Sequence, residues 1–196
     1  MSHLTPLVAS AQFARLAAVV DTREPDALAV HGTTVSFHQI EPGDLDLERE
    51  FVVGLSKRTS YQRLLSGRTP TARELERWTM IDREREGAII ATVMHHGAEQ
   101  LIGVARYAME PGEDDADFAI VIGDAWQGKG LGAHLLSKLI ALARKSAVRR
   151  LFGTTLTENR AMLELGRRLG FKLSRAAGSG FITMMSMPLG VSKAHT

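Results

Sequence analysis

The chain has 196 residues, 44% hydrophobic and 23% charged, with a formal net charge of +2; that length supports one domain with a proper core, and that composition excludes a disordered or fibrous protein. The small basic excess is far short of a nucleic-acid footprint, and the lack of cysteine excludes disulfides, thiolate metal sites and a cysteine nucleophile while fitting a reducing compartment. No stretch approaches the roughly eighteen consecutive apolar residues of a membrane span, and the N-terminus lacks the basic segment of a cleaved signal, so a cytoplasmic location is expected.

Residues 1–32 carry Pro6, Pro25 and Gly32 with only weak helical periodicity at Phe13, Leu16 and Val20, and read as an extension outside the core. "TTVSFHQI" (33–40) alternates and is rich in β-branched and aromatic residues, which predicts a first strand, with "EPGD" turning it toward a helix. Leu45, Leu47, Phe51, Val52 and Leu55 have the spacing of one amphipathic helix, and Tyr61, Leu64 and Leu65 of a second, short one. Thr71 followed by Glu74 has capping-box spacing and opens a third helix running through Trp78. "GAIIATVMHH", "QLIGVARYAM" and "ADFAIVIG" are apolar runs of strand length bounded by turn residues, and predict a three-strand meander.

Downstream, Leu131, Leu135, Leu139 and Leu142 share one helical face that must pack on a sheet. "RRLFGTTL" predicts a strand, "ENRAMLELGRRLG" a helix closed by Gly170, and "FITMMSM" a last strand ended by Pro188. The order describes an α/β (α+β) domain over 33–188, followed by a tail at 189–196.

The most informative stretch is "IGDAWQGKGLGAHLL" (122–136), in which a strand, a glycine turn and a helix start meet. Unpaired N–H groups at the positive end of a helix attract phosphate, and Gly128, Gly130 and Gly132 let a phosphate chain approach the backbone beside Lys129. A plain turn has the same composition. Two nucleotide readings fail: "GDAWQGK" has P-loop spacing, but Gly130 stands where Ser or Thr holds magnesium, and G-x-G-x-G is not the dinucleotide G-x-G-x-x-G.

"QGKGLG" (127–132), directly after the apolar "FAIVI", resembles the Gln/Arg-x-x-Gly-x-Gly/Ala acetyl-CoA signature of the GNAT acetyltransferase superfamily, and "ENRAMLELGRRLGF" (158–171) resembles that family's Asn-containing helix ending in Gly-Phe. The resemblance spans about Thr33 to Met187, and "FVVGLSKRTSYQRLL", "ELERWTMIDRERE" and "GVARY" look most like the acetyltransferase domain of bacterial Pat-type protein-lysine acetyltransferases. It implies a mixed, largely antiparallel sheet with helices on both faces, and acetyl transfer from acetyl-CoA to a primary amine, with a protein lysine as the favoured acceptor and direct attack in a ternary complex. By the same resemblance, Gln127, Gly128, Lys129, Gly130, Leu131 and Gly132 hold the CoA pyrophosphate, and the main chain of Ile120, Val121 and Ile122 pairs with the pantetheine arm. Asn159 matches a residue near pantetheine, or simply caps its helix.

An amine must lose a proton before it attacks, because a lysine ammonium is charged at neutral pH. Asp117 stands where the Pat-type enzymes carry a glutamate base; being one methylene shorter, it works through a water or a closer substrate approach, or else is a solvated strand-end carboxylate. Asp114 and Asp115 read as loop acids. The tyrosine that many superfamily members use to protonate the departing thiolate falls at Gly166; of the two tyrosines, Tyr61 and Tyr107, the latter either faces the acceptor or packs. A main-chain N–H of Ile120 to Ile122 is the expected donor to the reacting carbonyl oxygen. The seven histidines show no ligand spacing, so no metal is expected, and neither a nucleic acid nor a membrane partner. A small amine acceptor and a non-catalytic acyl-CoA-binding module remain the alternatives, and the oligomeric state is open.

Overall fold

A computed structural model of the protein describes residues 26–64, 68–176 and 178–190. An eight-stranded sheet holds strands β1 (Asp26–Val30), β2 (Thr33–Gln39), β3 (Glu86–His95), β4 (Ala98–Met109), β5 (Asp115–Ile122), β6 (Arg150–Leu156), β7 (Lys172–Arg175) and β8 (Ile182–Pro188), in the order β1-β2-β3-β4-β5-β6-β8-β7. All pairings are antiparallel except β5 with β6. Helices α1 (Leu45–Gly54), α2 (Lys57–Leu64) and α3 (Ala72–Thr79) lie between β2 and β3, α4 (Leu131–Lys145) between β5 and β6, and α5 (Arg160–Leu169) between β6 and β7.

Strand alternation sends side chains to two cores. On one face Ile40, Ala88, Ile90, Val104 and Val121 meet Phe51 and Val52 of α1 and Leu75 of α3. On the other, Phe37, Ile89, Ala105 and Phe118 meet the stripe Leu131, Leu135, Leu136, Leu139 and Ile140 of α4, with Met162, Leu165 and Leu169 of α5 packed alongside. The expected sheet with helices on both faces is therefore present, and Thr71 and Glu74 close the predicted capping box on α3.

Three sequence expectations need correction. Residues 26–30, placed in the extension, form β1 and turn into β2 through His31 and Gly32, both at positive φ (47° and 82°), with Val30 in the core. His96 and Gly97 (51° and 81°) repeat the device between β3 and β4, as the twist of two-residue hairpins demands. Phe13, Leu16 and Val20 lie outside the described residues. Leu189, assigned to the tail, is buried, and its N–H donates to the carbonyl of Arg149 at 2.9 Å. Asp115 is no loop acid: it is buried at the start of β5, paired to Arg149 (3.3 Å) and to Arg150.

Candidate active site

The site begins where β5 and β6 part. β5 follows β4 from Ala116 opposite Met109 to Ile122 opposite Gly103, but it pairs with β6 only over Asp115–Asp117. Gly123 N–H donates to the Ile102 carbonyl at 2.9 Å, which makes Ile122 and Gly103 a non-hydrogen-bonded pair. Antiparallel alternation then turns the N–H and C=O groups of Phe118, Ile120 and Ile122 away from β4 and into the gap. The Phe118 N–H lies at the last step of the β5–β6 pairing, and the Ile122 carbonyl accepts from Gln127 Nε2 at 3.0 Å. Among the described residues, Ile120 has no strand partner for either main-chain group, nor Ile122 for its N–H. Val121 points its own pair at β4, so of the three residues expected to offer main-chain groups only Ile120 offers both.

Beyond β5 the chain makes a tight turn at Asp124–Trp126 and reaches α4 through Gln127–Gly130. Gly128 and Gly130 have φ of 71° and 84°, and a Cβ on either would meet no protein atom within 4 Å. Their glycine character therefore serves the left-handed backbone, and the space beside them is open. Gln127 N–H bonds back to Asp124 O at 3.4 Å, whereas Gly128, Lys129 and Gly130 find no backbone acceptor among the described residues, and Leu131 and Gly132 stand in the first helical turn, where none exists. The donor cluster thus runs from Gly128 to Gly132, one residue shorter than the sequence suggests. Leu131 anchors it by burying its side chain completely, Gly132 lets α5 approach (its Cβ would stand 3.4 Å from Leu165 Cδ2), and Lys129 Nζ sits 5.2 Å from the Trp126 ring centre.

A cleft of about 670 Å³ connects these groups; β5 from Phe118 to Ile122, the glycine loop, Thr154 and Thr155 of β6, Asn159 and α2 line it. Asn159 caps α5, its Oδ1 accepting from Met162 N–H at 3.2 Å, so the capping role holds while the residue also borders the cleft. A second cleft of about 300 Å³ lies on the α3 side and shares Phe118 and Ala119 with the first. Asp117 lines this second cleft, together with Trp78, Glu86 and Arg106. Asp117 is itself exposed at the cleft mouth, yet the surrounding walls remove enough water to push its carboxyl above the usual aspartate value, against the hydrogen bond from Phe118 N–H.

Sequence reasoning missed two polar clusters. Glu48 of α1 is fully buried and pairs with Arg63 of α2 (3.2 Å) and Arg106 of β4 (2.9 Å); the two guanidiniums lie 4.2 and 5.3 Å from the Trp78 ring centre. Burial pushes Arg106 down to about 10 despite that carboxylate. At the other end of α2, the Asp124 carboxylate accepts from Ser56 N–H (2.9 Å), Ser56 Oγ (2.7 Å) and Thr59 Oγ1 (2.7 Å). These partners lie far apart in the chain, and no local motif announces them.

Tyr107 borders the second cleft, but its side chain packs into the core on the α4 side. Its ring lies across Gly87 beside Leu142 of α4, and burial raises its phenol pKa. Gly166 lies under the Met185 side chain, whose methyl occupies the place a Cβ would need. His95 and His96 are exposed, and no group of three metal-ligating side chains occurs among the described residues. Nor is any described helix long and apolar enough to cross a membrane.

The acetyltransferase (GNAT) domain profile matches residues 35–172. An acetyltransferase of Pseudomonas aeruginosa is 32% identical over 71% of this chain and 76% of its own length. The acetyltransferase Pat of Mycolicibacterium smegmatis is 34% identical over 66% of this chain, a match that covers 38% of that longer protein. The GNAT domain of S. lividans PAT superposes with a TM-score of 0.74 at 22% identity, over 84% of this chain and 96% of that one. The yncA protein of Salmonella typhimurium, solved with its cofactor acetyl-CoA, shares the fold at a TM-score of 0.62 and 18% identity, over 82% of this chain and 96% of that one. With a parted β5–β6 pair leading into a glycine turn at a helix start, and with the profile covering most of the described domain, the chain belongs to the GNAT family of acetyl-CoA-dependent acetyltransferases.

Proposed function

We propose that the protein transfers an acetyl group to a primary amine, with a protein lysine as the preferred acceptor, by direct attack while donor and acceptor are bound together. The observation that carries this reading is the unpartnered edge of β5 at Ile120, which runs directly into the free amides of Gly128 to Gly132. Buried backbone groups want partners, and a pantetheine chain with its two amides supplies them at strand spacing. Free amides at a helix start suit a diphosphate. The open space at Gly128 and Gly130 fits that group, as a cradle closed by side chains would not.

Acetyl-CoA supplies the acetyl group as a thioester. Asp117 stands at the mouth of the second cleft and takes the proton of the incoming amine, directly or through one water; its raised pKa makes it a better base than an ordinary aspartate. With the Ile120 carbonyl and the Ile122 N–H left to the pantetheine amides, the Ile120 N–H serves as donor to the thioester carbonyl oxygen as negative charge collects there. Gly166 offers no acid, and a thiolate is a good enough leaving group to take its proton from water. The lysine preference rests on the Pat relatives and on the acceptor cleft being open at the surface.

The test is thiol release by the purified protein with acetyl-CoA and a panel of lysine peptides and small amines. Turnover on lysine peptides supports the reading; turnover on small amines alone moves the acceptor class. CoA binding without turnover on any acceptor favours the non-catalytic module, for which Gly166 and the short Asp117 are the sequence support.

A further inference from the structure

Among its described side chains, helix α2 shows no apolar anchor to the core. Of these side chains only Thr59 and Arg63 are buried, neither of them apolar, and Tyr61, expected from periodicity to face inward, is exposed. Leu64 and Leu65, the other members of that expected stripe, contribute no described side chain. Amphipathic burial ordinarily supplies most of a short helix's stability, because eight residues cannot hold a helix in water by propensity alone.

Polar bonds at its two ends hold it instead. At the first, Asp124 accepts the three hydrogen bonds from Ser56 and Thr59 described above. Thr59 Oγ1 also accepts from Gln127 Nε2 (3.1 Å), the group that donates to the Ile122 carbonyl, so the cluster joins α2 to both the end of β5 and the glycine loop. At the second end, Arg63 reaches Glu48 and stacks on Trp78. Arg63 borders the first cleft and Trp78 the second, so α2 contributes to the partition between them.

We infer that Asp124 is a positioning residue that clasps α2 to the glycine loop, and that α2 in turn sets the wall shared by the donor and acceptor clefts. That the wall belongs to donor and acceptor rests on the acetyl-transfer reading; the clasp itself does not. Burial pushes the Asp124 carboxyl up, but the hydrogen bonds from Ser56 and Thr59 outweigh it and its pKa falls below the ordinary aspartate value. The clasp is therefore charged throughout the neutral range. A carboxylate suits the position because both oxygens must accept: an amide keeps Oδ1 for two of the hydroxyl bonds but sets its NH₂ against the Ser56 N–H.

Asp124→Ala, Asp124→Asn and, from the opposite side, Thr59→Val are compared with wild type by steady-state kinetics and by amide hydrogen exchange of α2, α1 and α5. Asp124→Ala is expected to raise the KM for acetyl-CoA on the order of tenfold while kcat changes by less than about threefold, as loss of charge-assisted bonds outside the reacting atoms predicts. Asp124→Asn falls between Ala and wild type, and α2 amides exchange faster in Asp124→Ala while those of α1 and α5 do not. Unchanged α2 exchange in Asp124→Ala overturns the inference whatever the kinetics show. Should Asp124→Ala fail to fold, Thr59→Val decides by the same two readouts. Absence of turnover in wild type would sink the acetyl-transfer reading and leave the exchange comparison to judge the clasp.

Discussion

A Cβ on Gly153 would stand 2.8 Å from the main-chain oxygen of Phe118 and about 2.9 Å from its ring. The two residues mark the fork at which β5 leaves β6, since pairing ends one step earlier at Asp117 and Phe152. The Phe118 ring occupies the space that a side chain on β6 would fill and meets Phe171 at a centroid distance of 4.9 Å. Gly153 thus lets one aromatic ring act as the wedge.

Gly153→Ala should therefore act at the fork. The nearest atom is backbone and cannot swing aside, so we expect a loss of about 1–3 kcal/mol in urea unfolding. Because β5 must shift, KM for acetyl-CoA should rise more than kcat falls. A variant as stable as wild type with an unchanged KM would show that the wedge does not set the opening.

Asp117→Asn should move activity and stability in opposite directions. The folded pKa of Asp117 lies above its unfolded value, so its contribution favours the folded state at low pH and is lost as pH rises through the folded pKa. At neutral pH the ionised carboxylate therefore costs stability, and Asn should raise Tm there, with the gain vanishing below the ordinary aspartate range. The same change should lower kcat/KM by roughly 10²–10⁴ and remove the acid limb of its pH profile. An intact rate and profile would show that another group takes the proton.

Gly130 tests the loop differently. Its Cβ has room but its φ of 84° does not suit an L residue, so Gly130→Ala should cost about 1–2 kcal/mol of backbone strain and weaken CoA binding. Gly130→Asn, which tolerates this conformation better, should lose less of both. Equal losses for the two would mean that steric access, not backbone conformation, governs the position; calorimetry with CoA and thermal unfolding read the two effects.

Glu48→Gln leaves two buried guanidiniums without their carboxylate. Removing one partner of such a cluster costs on the order of 3–5 kcal/mol, so denaturant unfolding should show a loss of about that size. A change below about 1 kcal/mol would mean that Arg63 and Arg106 reach solvent through the clefts without strain.

Much of the scaffold was legible because it is periodic. The apolar runs of β3, β4 and β5 and the leucine stripe of α4 each bury the faces their spacing implies. β7 was not, because "KLSR" is a polar edge strand with only Leu173 partly buried, and β1 was read as an extension although His31 and Gly32 form a hairpin turn. The glycine loop was legible as a motif, but not that the Ile122 carbonyl is already taken by Gln127. α2 was expected from Tyr61, Leu64 and Leu65, of which Tyr61 is exposed and the other two side chains lie outside the described ones; the bonds to Asp124, 65 residues beyond Thr59, could not be read there. Contacts of that span leave no trace in local spacing.

In the proposed complex the free edge of β5 and the glycine loop grip acetyl-CoA through main-chain N–H groups. Amide hydrogen exchange by NMR, with and without saturating acetyl-CoA, reads it residue by residue. The amides of Ile120, Ile122 and Gly128 to Gly132 are expected to slow by at least about tenfold on binding, as newly hydrogen-bonded groups should. Binding that leaves these amides unchanged would contradict it.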